Sequence, residues 1–168
     1  MRLLRLASPD DPKRADRAAL ATLRGVLRDT PADYYRAAKY VVPYLGERAS
    51  SSDRWFYLVG GLLALHPQHS HGIGFGQAFG TLRDESGSMD ARMLALLNTP
   101  ADALPRVLRQ LFGLLEAKGQ PVDYLRLLRE LGSWDDPTHW VQKRWAREYF
   151  RQGKAGEDAP GSNSTETV

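Results

Sequence analysis

The chain has 168 residues, 42% of them hydrophobic and 26% charged, with a net charge of +3 and no cysteine. This length suits a single domain, and the lack of cysteine excludes a disulfide framework, a zinc ribbon and a thiol nucleophile. Leucine (24) and alanine (19) far outnumber valine (8) and isoleucine (1). Because straight-chain residues favour helices and β-branched residues favour strands, the composition predicts an all-α fold.

The positive charge is concentrated outside the C-terminal end of the chain. Residues 1–151 contain 22 basic and 17 acidic residues, and most of the basic residues are arginine. Arginine binds phosphate through its planar fork, so the charge is compatible with a nucleic-acid partner. The N-terminus lacks the apolar core of a signal peptide, and the longest uncharged apolar run, residues 55–65, is too short to cross a bilayer. We therefore expect a cytoplasmic protein without membrane contact.

N-capping residues and prolines mark the helices of the first half. A first helix opens at residues 10–12 and runs to about residue 27. Thr30 and Pro31 form an N-cap and first-turn proline for a second helix, which is expected to continue to about residue 45 with a kink at Pro43. Residues 55–65 are apolar on every side, which predicts a central, buried third helix.

The second half begins after a glycine-rich stretch and a short helix at about residues 77–83. Residues 84–88 are predicted to be a loop between two parts of the molecule. Four further helices are expected, at residues 89–97, 103–118, 123–131 and 137–151. The sequence thus predicts a compact bundle of about eight helices, divided into an N-terminal lobe (1–85), a C-terminal lobe (86–151) and a polar, disordered tail (152–168).

Two motifs in the first half are compatible with a bound metal or phosphate. His66, His69 and His71 are close in sequence, but no carboxylate neighbours them and their spacing is that of a loop, so a solvent-facing loop is favoured over a metal site. The glycines of residues 72–76 follow an apolar helix, whereas a dinucleotide fingerprint follows a strand, so close helix packing or a tight turn is favoured. We predict no metal and no cofactor.

Catalytic motifs are not evident in the sequence. The serines around Gly87 do not form a nucleophile elbow, and Asp135 and Asp136 precede Pro137 in the manner of a helix N-cap. We expect the protein not to be an enzyme.

One face of the last predicted helix carries a tryptophan and four cations: Trp140, Lys143, Arg144, Arg147 and Arg151. Their spacing of i, i+3, i+4, i+7 and i+11 places them together. The face expected to be buried consists of Val141, Trp145, Ala146 and Tyr149. A tryptophan among cations is typical of a surface that follows a nucleic-acid backbone and stacks on bases, and it equally suits an aromatic contact with a neighbouring subunit.

Basic stripes recur on three other predicted helices. They comprise Lys13, Arg17, Arg24 and Arg28 on the first helix, Arg106 and Arg109 on the long helix 103–118, and Arg126 and Arg129 on helix 123–131. Leu104, Leu108, Leu111 and Leu115 lie opposite the second pair. We expect Arg126 and Arg129 to face outward. A single basic face is commonly only solvated, but several without compensating acids favour a polyanionic partner.

Six segments, in this order and spacing, resemble the CasB family, the small helical subunit of the type I-E CRISPR surveillance complex (Cascade). They are WFYLVGGLLALHP (55–67), GFGQAFGTLRDES (74–86), RMLALLNTP (92–100), LPRVLRQL (104–111), KGQPVDYLRLLRELGSW (118–134) and VQKRWAREYF (141–150). The resemblance that their order and spacing carry extends over nearly all of residues 10–150.

The resemblance implies a non-catalytic subunit in antiviral defence. It would be present in two copies beside the backbone and large subunits of the complex, in contact with guide RNA and target DNA. It would stabilise the R-loop partly by holding the displaced single strand on a basic surface, without reading its sequence. The nucleic-acid-binding candidates are Lys143, Arg144, Arg106 and Arg109, followed by Arg83, Arg126, Arg129 and Arg147, with Trp140 stacking or packing.

Two other functions remain open from the sequence. The basic faces could contact acidic surfaces of partner proteins in a helical scaffold. A helix-turn-helix regulator is a more remote alternative, and it would bind duplex DNA with sequence preference.

Overall fold

A computed structural model describes residues 17–47 and 50–152 of the chain. The described residues form eight α-helices and no β-strand, which confirms the all-α prediction. The helices are α1 Arg17–Gly25, α2 Pro31–Val41, α3 Asp53–Leu65, α4 Phe75–Gly80, α5 Ser88–Leu97, α6 Leu104–Lys118, α7 Tyr124–Gly132 and α8 Trp140–Gln152. Short 3-10 turns follow α1 at Val26–Arg28 and α2 at Val42–Tyr44. No helix in the described ranges is both long and apolar enough to cross a bilayer.

The predicted N-cap of the second helix is confirmed, but its predicted length is wrong. The Thr30 hydroxyl accepts a hydrogen bond from the Asp33 N–H at 3.2 Å, and Pro31 occupies the first turn. The α-helix ends at Val41, and Pro43 lies in the 3-10 turn that follows. Proline has no N–H to donate to the preceding turn, so the α-helical pattern stops instead of continuing through a kink.

The last helix begins three residues later than predicted. The Asp136 carboxylate accepts hydrogen bonds from the N–H and hydroxyl of Thr138, which holds residues 136–138 in a turn. His139 then adopts a left-handed conformation with φ of 52°. A residue in that region cannot continue a right-handed helix, so α8 starts at Trp140.

Helix α3 is the centre of the molecule, as its all-round apolarity predicts. Residues 57–64 are buried, and the helix packs against α1, α2, α6 and α7. Buried side chains from both sides of the 84–88 loop form one continuous core around it. The division into two lobes at that loop stays a prediction.

The glycine-rich segment brings α4 into close contact with α8, which confirms the helix-packing interpretation. A Cβ added at Gly76 would lie 2.5 Å from the Trp145 carbonyl oxygen, and one at Gly80 would lie 2.8 Å from that of Tyr149. The Phe75 and Trp145 rings pack with centroids 4.6 Å apart. These glycines therefore set the position of α8, whose opposite face carries the predicted basic residues.

Two sets of predicted features lie outside the described residues. These are the start of the first helix, including Lys13, and the tail after residue 152. Gln152 itself is described and is the last residue of α8.

Candidate nucleic-acid interface

The two faces of α8 are divided much as the sequence predicts. Val141, Trp145 and Tyr149 are fully buried, whereas Ala146 at the edge of this face is partly exposed. The four cations of the opposite face are all exposed: Lys143, Arg144, Arg147 and Arg151. We call this set, together with Trp140, the α8 basic face.

Most of the charge on the α8 basic face is free of carboxylates. Arg147 and Arg151 have no ion-pair partner among residues 17–47 and 50–152. The Lys143 ammonium donates to the Thr138 carbonyl oxygen at 2.7 Å, a contact that leaves its charge uncompensated. Arg144 is 51% exposed and lies 3.6 Å from Glu130 and 3.8 Å from Glu148, too far for direct hydrogen bonds. The helix therefore presents cations that a polyanion could reach.

Trp140 lies at the start of α8 and is 36% exposed. The Arg144 guanidinium carbon lies 5.9 Å from the centroid of its ring. This is a cation–π distance, so the two side chains form one surface that is part aromatic and part cationic.

Arg106 and Arg109 are exposed on α6, opposite the four leucines that the sequence predicts to be buried and that are buried. Both line an open groove whose other wall comes from the 3-10 turn after α1, from α2 and from α3. Arg28 and Arg54 lie on that wall, so the groove gathers four arginines from three separate elements. The sequence analysis missed Arg54, because no local signal links it to the α6 stripe.

The groove arginines differ in how far their charge is compensated. Arg28 binds Asp33 through two hydrogen bonds of 3.0 and 2.7 Å, which lowers the pKa of that carboxyl well below its usual range. Arg109 donates to the Leu27 carbonyl oxygen at 3.1 Å and so keeps its charge. Arg106 has no ion pair within the part of the chain that the structure describes. Arg106 and Arg109 are thus the groove arginines without an ion pair among the described residues, since Arg54 lies 3.8 Å from Asp135.

Arg126 does not face outward, so that prediction is wrong. Its side chain is only 16% exposed, with Nε 2.8 Å from Glu130 and an Nη atom bonded to Glu148. Glu130 is buried and also accepts the Trp145 indole N–H at 2.7 Å. A buried carboxylate requires a cation, and Arg126 supplies it from the preceding turn of α7. Its charge is therefore used inside the protein.

Arg83 is also engaged internally. It forms hydrogen bonds of 3.0 and 3.2 Å with Asp90, and its guanidinium lies over the rings of Tyr149 and Phe150. These bonds, with one from the Tyr149 hydroxyl, lower the pKa of Asp90. Arg129, by contrast, is exposed as predicted and donates to the Leu125 carbonyl oxygen, with no carboxylate partner among residues 17–47 and 50–152.

Two of the three described arginines in the basic stripe of the first helix also make contacts within the protein. Arg24 donates twice to the Ala64 carbonyl oxygen of α3, at 3.2 and 2.8 Å, and Arg28 is paired with Asp33. Arg17, Arg24 and Arg28 are all exposed, and among the described residues only Arg28 of the three has a carboxylate partner, so Arg17 and Arg24 keep their charge.

The histidine loop differs from its predicted solvent-facing form. His66 is fully buried with its Nε2 2.7 Å from the Gln120 carbonyl oxygen, and burial lowers its pKa. His69 is partly buried beside Val122, and only His71 is well exposed. The carboxylate that the local sequence lacks comes from Asp123, whose Oδ2 lies 3.3 Å from the His71 Nδ1.

Comparison with known proteins places this fold in a family. A family model described as CRISPR-associated protein Cse2 matches residues 19–150. A CRISPR-associated protein Cse2 of Thermus thermophilus is 37% identical over 144 residues, which cover 84% of this chain and 83% of that protein. The chain therefore shares most of its length with the relative.

Solved structures show the same helical arrangement. The crystal structure of CasB from Thermus thermophilus matches with a TM-score of 0.74 and 35% identity, covering 89% of this chain and 96% of that one. A chain of a CRISPR RNA-guided surveillance complex has the same fold, with a TM-score of 0.71 at 21% identity over 93% and 91% of the two chains. The match to the family model over nearly all the described residues, supported by these superpositions, shows that this chain belongs to the CRISPR-associated Cse2 (CasB) family.

Proposed function

We propose that this chain is a non-catalytic subunit of an RNA-guided CRISPR surveillance complex and holds nucleic acid on the α8 basic face. The ligand is the displaced single strand of an R-loop, bound without sequence preference. The other subunits, a second copy of this chain and the guide RNA are its partners in that assembly. Support for the assembly comes from the family and from the shared fold with a chain of such a complex.

The observation that carries the proposal is the unpaired charge of the α8 basic face. Lys143 and Arg147 are exposed and have no carboxylate partner in the part of the chain that the structure describes, and Arg144 is held only loosely by Glu130 and Glu148. Phosphates of a flexible strand can replace the water around such cations, and binding gains free energy from the counterions that the strand releases. A partly exposed Trp140 beside them offers a ring on which a base can stack whatever its identity.

The network under α8 also favours this role. Glu148 is an acidic residue at the edge of the basic face, and Arg126 binds its carboxylate from α7. Arg126 offsets one of the two carboxylate charges, Glu130 and Glu148, that lie beside Arg144, and without it the larger negative charge would repel phosphate more strongly. Arg126 is thus a positioning residue in this proposal, and no longer a direct ligand of DNA.

Arg106 and Arg109 provide a second contact surface in the groove, with Arg129 exposed on α7. The groove also contains Asp29 and Asp102, so its field is more mixed than that of α8. We expect it to contribute less to binding than the α8 basic face.

The test is the triple variant Lys143→Ala, Arg144→Ala, Arg147→Ala. Fluorescence anisotropy of the full chain against labelled single-stranded DNA, duplex DNA and RNA, at several salt concentrations, gives the affinity and its salt dependence. The wild type should bind single strands without sequence preference. The slope of log K against log salt should fall in magnitude by about 2 in the variant, because three phosphate contacts to a single strand are lost.

A matched control removes the same charge elsewhere. Lys39, Arg92 and Lys118 are exposed outside both surfaces, and their triple alanine variant should bind almost as tightly as the wild type. Equal weakening by both triples would mean that only net charge matters and would refute the site. If an oligonucleotide fails to bind or to displace protein partners, the helical-scaffold alternative replaces the proposal.

A further inference from the structure

The segment after α3 and the start of α7 are fastened to each other by their backbones. His69 and Val122 form an isolated parallel β-bridge, with the Val122 N–H donating to Gln68 at 3.2 Å. The Asp123 N–H donates to the Ile73 carbonyl oxygen at 2.7 Å. Side chains from these two segments are therefore held together although more than 50 residues separate them in sequence.

Three ligand-type side chains converge at this junction. The Nδ1 of His71 lies 3.3 Å from Oδ2 of Asp123, and the ligand atoms of His69, His71 and Asp123 all lie within 4.8 Å of one another. Two ligands of a tetrahedral zinc ion, each bonded at about 2.0–2.1 Å, lie about 3.4 Å apart. The His71–Asp123 pair already has this separation, and the ligand atom of His69 lies within 4.8 Å of both.

The carboxylate and one imidazole are held in place by the surrounding backbone. Asp123 is the N-cap of α7: Oδ1 accepts the N–H groups of Leu125 and Arg126, and Oδ2 accepts that of Gly72 at 2.9 Å. The Nδ1 of His69 lies 3.1 Å from the Val122 carbonyl oxygen. Contacts of this kind orient metal ligands in proteins and limit the cost of assembling them.

We propose that His69, His71 and Asp123 form a binding site for a divalent transition metal ion of the zinc class. Two imidazoles and a carboxylate suit such an ion, and water or an external donor occupies the fourth position. The positive end of the α7 dipole opposes the cation, and the Asp123 charge offsets it. The bound ion joins the loop between α3 and α4 to the start of α7, so its role is structural.

The experiment uses the untagged full chain stripped of metal with a chelator and then titrated with Co²⁺ as a spectroscopic probe. A tetrahedral site produces visible d–d absorption that saturates at one Co²⁺ per chain. Zn²⁺ should displace the Co²⁺ and abolish the band. Zn²⁺ should also raise the melting temperature in proportion to the logarithm of its concentration once the site is saturated.

Two variants and one control locate the site. His71→Ala removes an exposed ligand, and Asp123→Asn removes the charge while keeping an oxygen that can cap α7; each should weaken Co²⁺ binding at least tenfold. His139→Asn is the control, because His139 is exposed, distant in sequence and in a left-handed conformation that asparagine tolerates. Its affinity should equal that of the wild type.

Three results would overturn the metal site. These are the lack of a saturable band at one equivalent, Co²⁺ binding that both variants retain, and an equal loss in His139→Asn. Any of them would leave the His71–Asp123 contact as an ordinary ion pair. The outcome is independent of nucleic-acid binding, since none of the three ligands belongs to the α8 basic face.

Discussion

The exposed cations of α8 and the arginines that surround this helix look alike in the sequence. In the structure they differ in whether a carboxylate binds them. Lys143 and Arg147 project from α8 with no carboxylate within reach among the described residues, whereas Arg126 and Arg83 are each bound to carboxylates. Arg126 lies on a helix with one apolar face, as the α8 cations do, and Arg83 follows the short helix α4. The comparison teaches that a count of basic residues overestimates the charge that a protein offers to a partner.

The difference arises from what lies beneath each side chain. Glu130 is buried and Glu148 mostly so, and a carboxylate removed from water must be paired. Arg126 is one helical turn before Glu130 and faces Glu148 across the α7–α8 contact, so a single guanidinium binds both acids. Lys143 and Arg147 on the outer face of α8 do not lie over a buried carboxylate of the described residues, so they remain exposed to water.

Among the variants that test this comparison, Arg126→Ala should have the largest effect on the free energy of unfolding. Removal of the guanidinium leaves Glu130 and Glu148 without their main partner, which should lower the free energy of unfolding by about 3 kcal/mol. Urea unfolding followed by circular dichroism measures this change. A loss below about 1 kcal/mol would indicate that Arg144, 3.6 Å from Glu130, takes over the pairing.

Arg83→Ala should have an intermediate effect. The Arg83–Asp90 pair is partly exposed, so its loss should lower the free energy of unfolding by about 1 kcal/mol. It should also alter the pH dependence, because Arg83 and the Tyr149 hydroxyl hold the pKa of Asp90 below its usual range. A carboxyl whose pKa is lower in the folded than in the unfolded protein stabilises the fold at pH values above the unfolded-state pKa, which is about 3.9 for aspartate.

That stabilisation is lost as the pH falls from about 4 through the lower folded-state pKa. The free energy of unfolding of the wild type should therefore decrease more steeply with acid than that of Arg83→Ala. Urea unfolding at pH 7 and at several values below 4 compares the two proteins. Parallel acid profiles would show that Asp90 owes its lowered pKa to groups other than Arg83.

Arg147→Ala should have the smallest effect on stability. The side chain is exposed and has no ion pair in the described ranges, so the free energy of unfolding should change by no more than about 0.5 kcal/mol. The salt slope for single-stranded DNA should nevertheless fall by about 0.7, the contribution of one phosphate contact. Anisotropy and urea unfolding on the same preparation separate the two quantities. A large loss of stability would place Arg147 with the internally paired arginines.

The positions and faces of the helices could be predicted from the sequence because their causes are local. Thr30 caps α2 and the all-apolar α3 is buried as expected, since capping and periodicity act within a few residues. The burial of Val141, Trp145 and Tyr149 follows from the same periodicity. The predictions that were wrong, at Pro43 and at residues 137–139, concern helix ends. Where a helix ends or begins depends on a single missing N–H, as at Pro43, or on one φ angle, as at His139.

The sequence by itself therefore determined an all-α chain with a basic face on its last helix, because composition and spacing along one helix are sufficient for both. Only the tertiary structure decided which cations are free: Arg126 finds Glu148 on another helix, 22 residues away. It also decided that Asp123 meets His71 and that Arg54 joins the α6 groove. Such pairings depend on how helices pack. For α8 the packing against α4 is set by Gly76 and Gly80, because their lack of a Cβ lets the two helices approach closely.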